Sequence, residues 1–342
     1  MSVVSVLLAN PYFLGFVKAV VLLGFVLFVV AYVTLAERKV SAFIQRRLGP
    51  NRVGPWGLLQ PLADGVKFFF KEDITVPHAD KLLYILAPMI VFVPAFISLA
   101  VVPVGGTLTI AGQEIRLEVA DVNVGVLLIF AMSAMAVYGV FLGGYASNNK
   151  YSLLGGLRSS AQMISYELPL GLAAVGVFMA AGSFRLREIV DAQAWGVWYV
   201  VPQIIGFLVF MVSAFAETNR LPFDLPEAEQ ELVGGYHTEY SSMKFGMFFM
   251  GEYAHMITAS CLMVLFYFGG WHVPFVQIEN PLLQLLVFAA KVGFFLFVFL
   301  WVRWTLPRFR YDQLMRLGWK TMIPLALLNL LVVGVLITMG WL

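Results

Sequence analysis

Two glutamates stand where an ionised side chain is expensive. Glu167 and Glu252 are embedded in apolar runs, and a charge at such a position costs roughly 2.5–3.5 kcal/mol on membrane-insertion scales, so each is a functional candidate. Both fall about seven residues after the predicted start of their span, which at about 1.5 Å per residue puts them at one shared depth of ~10 Å. Glu37 closes the first apolar span and Glu217 the fifth, which adds two more carboxylates to the same half of the membrane. A run of acids follows, with Asp224, Glu227, Glu229, Glu231 and Glu239 set against Arg220. Carboxyls in poorly hydrated, mutually repelling surroundings can be neutral at neutral pH and exchange protons, so such a series can relay them. The alternative for the loop is a solvated acidic segment, and for the two buried glutamates structural pairing with arginine.

The basic residues concentrate after the first span (Arg38, Lys39, Arg46, Arg47, Arg52) and after the seventh (Arg303, Arg308, Arg310, Arg316, Lys320). Juxtamembrane clusters of this kind mostly bind anionic lipid and set topology. Arg38, beside Glu37, and Arg303, at a helix end, are the best placed as counter-ions or as contacts for a ligand headgroup. Lys291, within the seventh span, reads equally as a relay element or as a snorkelling side chain. Glu252 and His255 have the Glu-x-x-His spacing of di-iron bundles, but that site needs a second copy and further glutamates, and the sequence has no second copy. No metal site is expected, and no catalytic residue. One cysteine, Cys261, cannot supply the thiolates of an iron–sulfur cluster. Histidines at 78, 237, 255 and 272 show no haem or zinc pairing, and no phosphate-binding loop or dinucleotide fingerprint is present.

The elements that position these groups follow from composition. Of 342 residues, 61% are hydrophobic and 12% charged, with a mean hydropathy of +0.86; soluble domains carry about 25% charge. A net charge of +2 argues against a nucleic-acid partner. The chain reads as a single polytopic domain over 1–342, an all-α integral membrane protein with eight spans near 12–36, 82–103, 122–145, 160–181, 197–216, 245–270, 282–302 and 321–341. The first span lacks a basic leader and a cleavage site, so it is expected to be retained. Loops 37–81, 146–159, 217–244 and 303–320 carry 17 Lys and Arg residues against 3 in the opposite set. By the positive-inside rule they face the cytoplasm, which leaves both termini on the other side. Residues 58–73 form an amphipathic pattern, with Leu58, Leu59, Leu62, Val66, Phe69 and Phe70 opposite Asp64, Lys67 and Lys71, and predict a helix lying in the membrane interface. Residues 107–117 predict a small hairpin about Ala111-Gly112-Gln113. Asp224 and Glu227 predict the start of a short helix over 225–233. These features leave two classes open: a self-contained proton- or ion-coupled transporter, or a membrane subunit that moves protons while another subunit does the chemistry.

The sequence resembles the H-type (chain 1) membrane subunit family of proton-pumping NADH-quinone oxidoreductase, respiratory complex I. The resemblance is carried by Ala36-Glu37-Arg38-Lys39, Gly49-Pro50-Asn51-Arg52-Val53-Gly54-Pro55 and Gly57-Leu58-Leu59-Gln60-Pro61-Leu62-Ala63-Asp64. Ser165-Tyr166-Glu167, Ala216-Glu217-Thr218-Asn219-Arg220, the segment Pro222–Leu232, Glu239-Tyr240, Glu252-Tyr253 and Arg308-Phe309-Arg310-Tyr311-Asp312-Gln313 extend it. It implies a bacterial inner-membrane subunit at the junction with the hydrophilic arm. Quinone would be the substrate, entering between the first helix, the sixth helix and the interfacial helix. FMN and iron–sulfur clusters would reside only in partner subunits. The implied partners are the quinone-site and iron–sulfur subunits of the hydrophilic arm, the small and antiporter-like membrane subunits, and membrane lipid. Carried over by position, Glu37, Glu167, Glu217, Asp224, Glu227, Glu229, Glu231, Glu239 and Glu252 would form a proton path. Arg38, Arg47, Arg220 and Arg303 would line the quinone chamber or pair with those acids. A homologous subunit of a membrane-bound hydrogenase or a ferredoxin-driven complex is the alternative within the resemblance.

Overall fold

The computed structural model describes residues 10–110, 113–194, 196–225 and 232–341. The first helix, α1, runs Pro11–Ile44, opened by Asn10, whose side chain accepts from the backbone N–H of Tyr12 and Phe13. It continues well past the predicted end of the first span, because hydropathy windows stop at the charged stretch after Ala36 whereas the backbone ladder does not. Glu37 therefore lies inside a helix and not at its terminus. A 3₁₀ turn, Pro55–Gly57, leads into α2, Gln60–Phe70, the core of the predicted interfacial helix.

Next come α3 (Lys81–Ala100), capped by Asp80, a two-stranded antiparallel hairpin of β1 (Thr107–Ile110) and β2 (Gln113–Arg116), and α4 (Gly125–Ala146). The turn of that hairpin, residues 111–112, lies outside the described residues. Helix α5 (Lys150–Ala181) starts ten residues before the predicted span, under an Asn149 cap, and stops at Gly182, whose φ of 66° is left-handed. Its first turns are too polar to register as membrane sequence, so Glu167 sits near the middle of the helix and not near its start. A short α6 (Leu186–Asp191) precedes α7 (Ile204–Glu217). The chain ends with α8 (Ser242–Tyr267), α9 (Pro281–Thr305), α10 (Tyr311–Leu317), a π turn at Gly318–Met322 and α11 (Ile323–Thr338).

Among the described residues seven helical segments are long and apolar enough to cross a bilayer: α1, α3, α4, α5, α8, α9 and the continuous α10–α11. The expected fifth span, 197–216, differs. Only α7, 14 residues, is helical there, about 21 Å of rise against a hydrocarbon core of ~30 Å. Its approach, residues 196–203, is irregular, and part of its backbone is bonded to side chains and carbonyls of the protein. Val200 N–H donates to the Tyr267 carbonyl and Tyr199 N–H to Oε1 of the buried Gln193, whose Nε2 donates to Leu265. Hydropathy reports composition, not helicity, so this break was invisible in the pattern. Six of the nine residues of the predicted helix over 225–233, namely 226–231, lie outside the described residues.

Helix α8 is the centre of the bundle, with 78% of its most apolar window buried; α5 packs between α4, α7 and α11. Small residues let these backbones approach. A Cβ on Gly144 would meet the Ser152 carbonyl oxygen at 2.5 Å, and one on Gly251 would meet Val91 at 2.7 Å.

Candidate functional site

Four segments converge on one buried group of charges. Glu37 projects from α1, Glu252 and Tyr253 from α8, Arg303 from the last turns of α9, and Arg220 from the loop after α7. One oxygen of Glu37 is bound by Arg303. The other accepts from the Tyr253 hydroxyl at 2.7 Å and faces Arg220 at 3.4 Å. Arg220 Nε lies 2.6 Å from Glu252, and its guanidinium covers the Tyr253 ring, 4.2 Å from the centroid. Burial opposes the charge of Arg220, but Glu252, Tyr253 and Glu37 outweigh it and hold the guanidinium above the usual arginine range. Asp224, on the same loop, pairs with Arg308 at 3.2 Å.

The loop itself is pinned by a buried amide. Gln162 of α5 directs Nε2 at the carbonyls of Ala216 (2.7 Å) and Phe223 (2.8 Å) and at Oδ1 of Asn219 (3.1 Å). Asn219 adopts a φ of 50°, and the reversal turns Arg220 inward. Phe309 N–H donates to the Pro222 carbonyl, and the Phe223 and Phe309 rings stack. Gln162 and Tyr253 were not singled out from sequence as functional. Tyr253 was visible only as a neighbour of Glu252, and a buried Gln in a polar-looking helix start carries no periodic signal.

Glu217, at the end of α7, accepts from the Ser133 hydroxyl of α4 and borders a small cavity of about 20 Å³ shared with Thr218, His255 and Thr258. Glu167, on α5, is near enough for its charge to act on Glu217. The remaining predicted residues are placed elsewhere. Arg38 points away from the acids Glu37 and Glu252 and pairs at 2.8 Å with Asp64 of α2. Arg47 is exposed, with Nε on Gln45 Oε1 at 2.6 Å. Glu239 accepts from Asn149 at the start of α5, at 2.6 Å. Glu227, Glu229 and Glu231 lie outside the described residues. Lys291 donates to the carbonyls of Phe268, Gly270 and His272 at 2.6–2.8 Å, closing the end of α8, with its ammonium 4.4 Å from the Trp198 ring centroid.

Helix α2 lies against α1 and α8. Tyr32 of α1 donates to the Leu58 carbonyl, Ser242 of α8 to the Phe68 carbonyl, and Lys244 pairs with Asp73. Its apolar face points outward: Leu62, Phe69 and Phe70 are 69%, 72% and 86% exposed, as a lipid-facing interfacial helix requires.

These features define a mostly helical, multi-pass membrane protein with a cluster of acids and arginines packed between its helices. The family model for NADH dehydrogenase matches residues 17–334. The chain is 54% identical to an H-type subunit of NADH-quinone oxidoreductase from Cytophaga hutchinsonii, with 90% of this chain and 92% of that protein covered. It is 52% identical to an H-type subunit from Geobacter metallireducens, covering 97% and 98%, and 53% identical to that of Leptospira biflexa, covering 86% of each. The chain belongs to the family of H-type NADH-quinone oxidoreductase subunits, whose members are membrane subunits of complex I.

Proposed function

We propose that this chain forms the tunnel and chamber through which quinone enters NADH-quinone oxidoreductase, and that it couples quinone reduction to proton translocation through its carboxylates. The observation that carries the reading is the Glu37–Arg220–Glu252–Arg303 cluster, built where α1, α8 and the outward-facing apolar α2 come together. Quinone would reach the chamber between these three helices. Arg220 and Arg303 hold the acids of the cluster, while Arg38, through Asp64, fixes α2 against α1, and Arg47 lies at the rim. Glu37, Glu252, Asp224, Glu217 and Glu167 supply proton sites, with Glu227, Glu229, Glu231 and Glu239 as the continuation of the path. FMN and the iron–sulfur clusters belong to hydrophilic-arm partners, and antiporter-like membrane subunits receive the protons. In this reading loops 37–81, 146–159, 217–244 and 303–320 face the bacterial cytoplasm and both termini face the opposite side of the inner membrane.

The physical coupling is electrostatic. Reducing quinone draws protons and alters charge beside a group in which acids and arginines already balance, and the whole group retitrates together, not one residue at a time. Glu252→Gln or Glu217→Gln in the assembled complex should lower quinone reductase rate or proton yield at least tenfold, about 1.4 kcal/mol or more in the barrier. Normal rate and yield in both variants would remove the reading. Gentle purification through a tag on this chain should bring down a flavin- and iron–sulfur-containing assembly that reduces a quinone analogue with NADH. A hydrogenase or ferredoxin-driven activity would assign it to a sister machine, and a lone 38 kDa species that transports ions would exclude both.

A further inference from the structure

Helix α8 carries another titratable side chain, unused by the cluster, one turn beyond Glu252. His255 is three residues on, so the two share a helix face. It lines the 20 Å³ cavity together with Glu217 of α7 and Thr218 just past its end, Ser133 of α4 and Thr258 of its own helix, with Leu170 of α5 closing the wall. Its Nε2 is buried and has no hydrogen-bond partner among the described residues. That arrangement is costly unless something fills it. A space of about 10–15 Å³ holds one water, which needs two to four polar partners, and Glu217, Thr218, Thr258 and His255 can provide them.

We propose that His255 is a further proton carrier, joining the Glu37–Arg220–Glu252 cluster to Glu217 across this water-sized cavity; the inference rests on the proton-path reading above. A neutral imidazole has one lone pair and one N–H. It takes a proton at one nitrogen from the Glu252 side and becomes imidazolium, then releases the proton at the other nitrogen through the cavity water to the Glu217 carboxylate. The ring returns to neutrality and no other reactant is needed. The placement also explains a gap: Glu217 accepts from Ser133, while Glu252 is held by Arg220, and no ion pair among the described residues joins the two.

The test is His255→Gln in the assembled complex in sealed inner-membrane vesicles, with assembly read by flavin content. The variant should assemble normally but lose quinone reductase rate or protons moved per NADH at least tenfold, the lower edge of what a positioned proton donor contributes. The remaining rate should show a larger solvent deuterium effect than the parent, a change that a packing defect does not produce. An assembled His255→Gln complex with parental rate and proton yield overturns the proposal. Glu252→Gln, measured alongside, separates the two levels: impaired Glu252→Gln with normal His255→Gln removes only the role of His255, whereas parental behaviour in both removes the path itself. Should His255→Gln fail to assemble, Thr258→Val, nearly isosteric and on the same cavity wall, carries the same expectation, and parental behaviour in that variant overturns the proposal.

Discussion

The guanidinium of Arg220 has Glu252 at 2.6 Å and Glu37 at 3.4 Å, all of them withdrawn from water. Truncation to alanine leaves two carboxylates sharing one remaining cation, Arg303, and breaking a buried pair in this way costs about 3–5 kcal/mol. Arg220→Ala is therefore expected to lower the melting temperature of the purified complex sharply, or to prevent its accumulation. Arg220→Lys should recover little, because a point ammonium cannot serve two carboxylates and cover the Tyr253 ring as a planar fork does. A lysine variant with parental melting behaviour would contradict this. A second residue-scale consequence concerns His237, enclosed by Tyr236, Phe245 and Phe249. Burial pushes its imidazole down to about 4. Protonation then favours the unfolded chain. The stabilisation is complete above the ordinary value near 6.5 and is lost as pH falls from there toward 4, with a ceiling on the order of 3 kcal/mol. Thermal midpoints should fall over that window, and His237→Gln should flatten the fall.

Between elements, some helices approach so closely that a main-chain atom faces a glycine. Gly144 of α4 sits where a methyl group would lie 2.5 Å from the Ser152 carbonyl oxygen of α5. A main-chain atom cannot swing aside, so Gly144→Ala should destabilise by about 1–3 kcal/mol, the usual cost of overpacking. Gly171, on the same α5 and with nothing within 4 Å of its would-be Cβ, should accept alanine without loss in yield or melting temperature. Equal behaviour of the two variants would show that the helix pair is not held by close approach. The element scale also shows how far sequence carries. Spans were legible because apolar runs near 20 residues have few other uses, and the α2 face because its period is strict. The break before α7 was not, since it depends on tertiary partners such as Gln193 and Tyr267, and neither was the start of α5, whose first turns are too polar to register in a hydropathy window. Glu252 was legible from the cost of burying it, and Glu37 only as the acid that closes the first apolar run. Their connection through Arg220 was not, because it depends on a reversal imposed by Gln162 from another helix. Arg38 looked equivalent beside Glu37, yet its place on the helix turns it toward Asp64.

At the scale of the molecule, the proposed sidedness rests on the distribution of Lys and Arg and is open to direct test. The chain has a single, buried cysteine, so Cys261→Ala gives a background for site labelling. In that background Arg47→Cys and Glu279→Cys, both at exposed positions, should react with a membrane-impermeant maleimide from opposite faces, the first only in inverted vesicles and the second only in right-side-out ones. Labelling of both from one face would overturn the topology.

The cluster also carries a constraint on how the chain can change over generations. Three acids (Glu37, Glu252, Asp224) meet three arginines (Arg220, Arg303, Arg308), so a lineage that loses one sign alone inherits an uncompensated charge in a largely buried place. Drift through this region is thus confined to coordinated exchanges: a chain lacking Arg303 should regain stability most readily by neutralising Glu37, a partner 266 positions away in the chain. The helices between them are free to vary at their lipid-facing surfaces, while these distant letters of the gene are bound to change together or not at all.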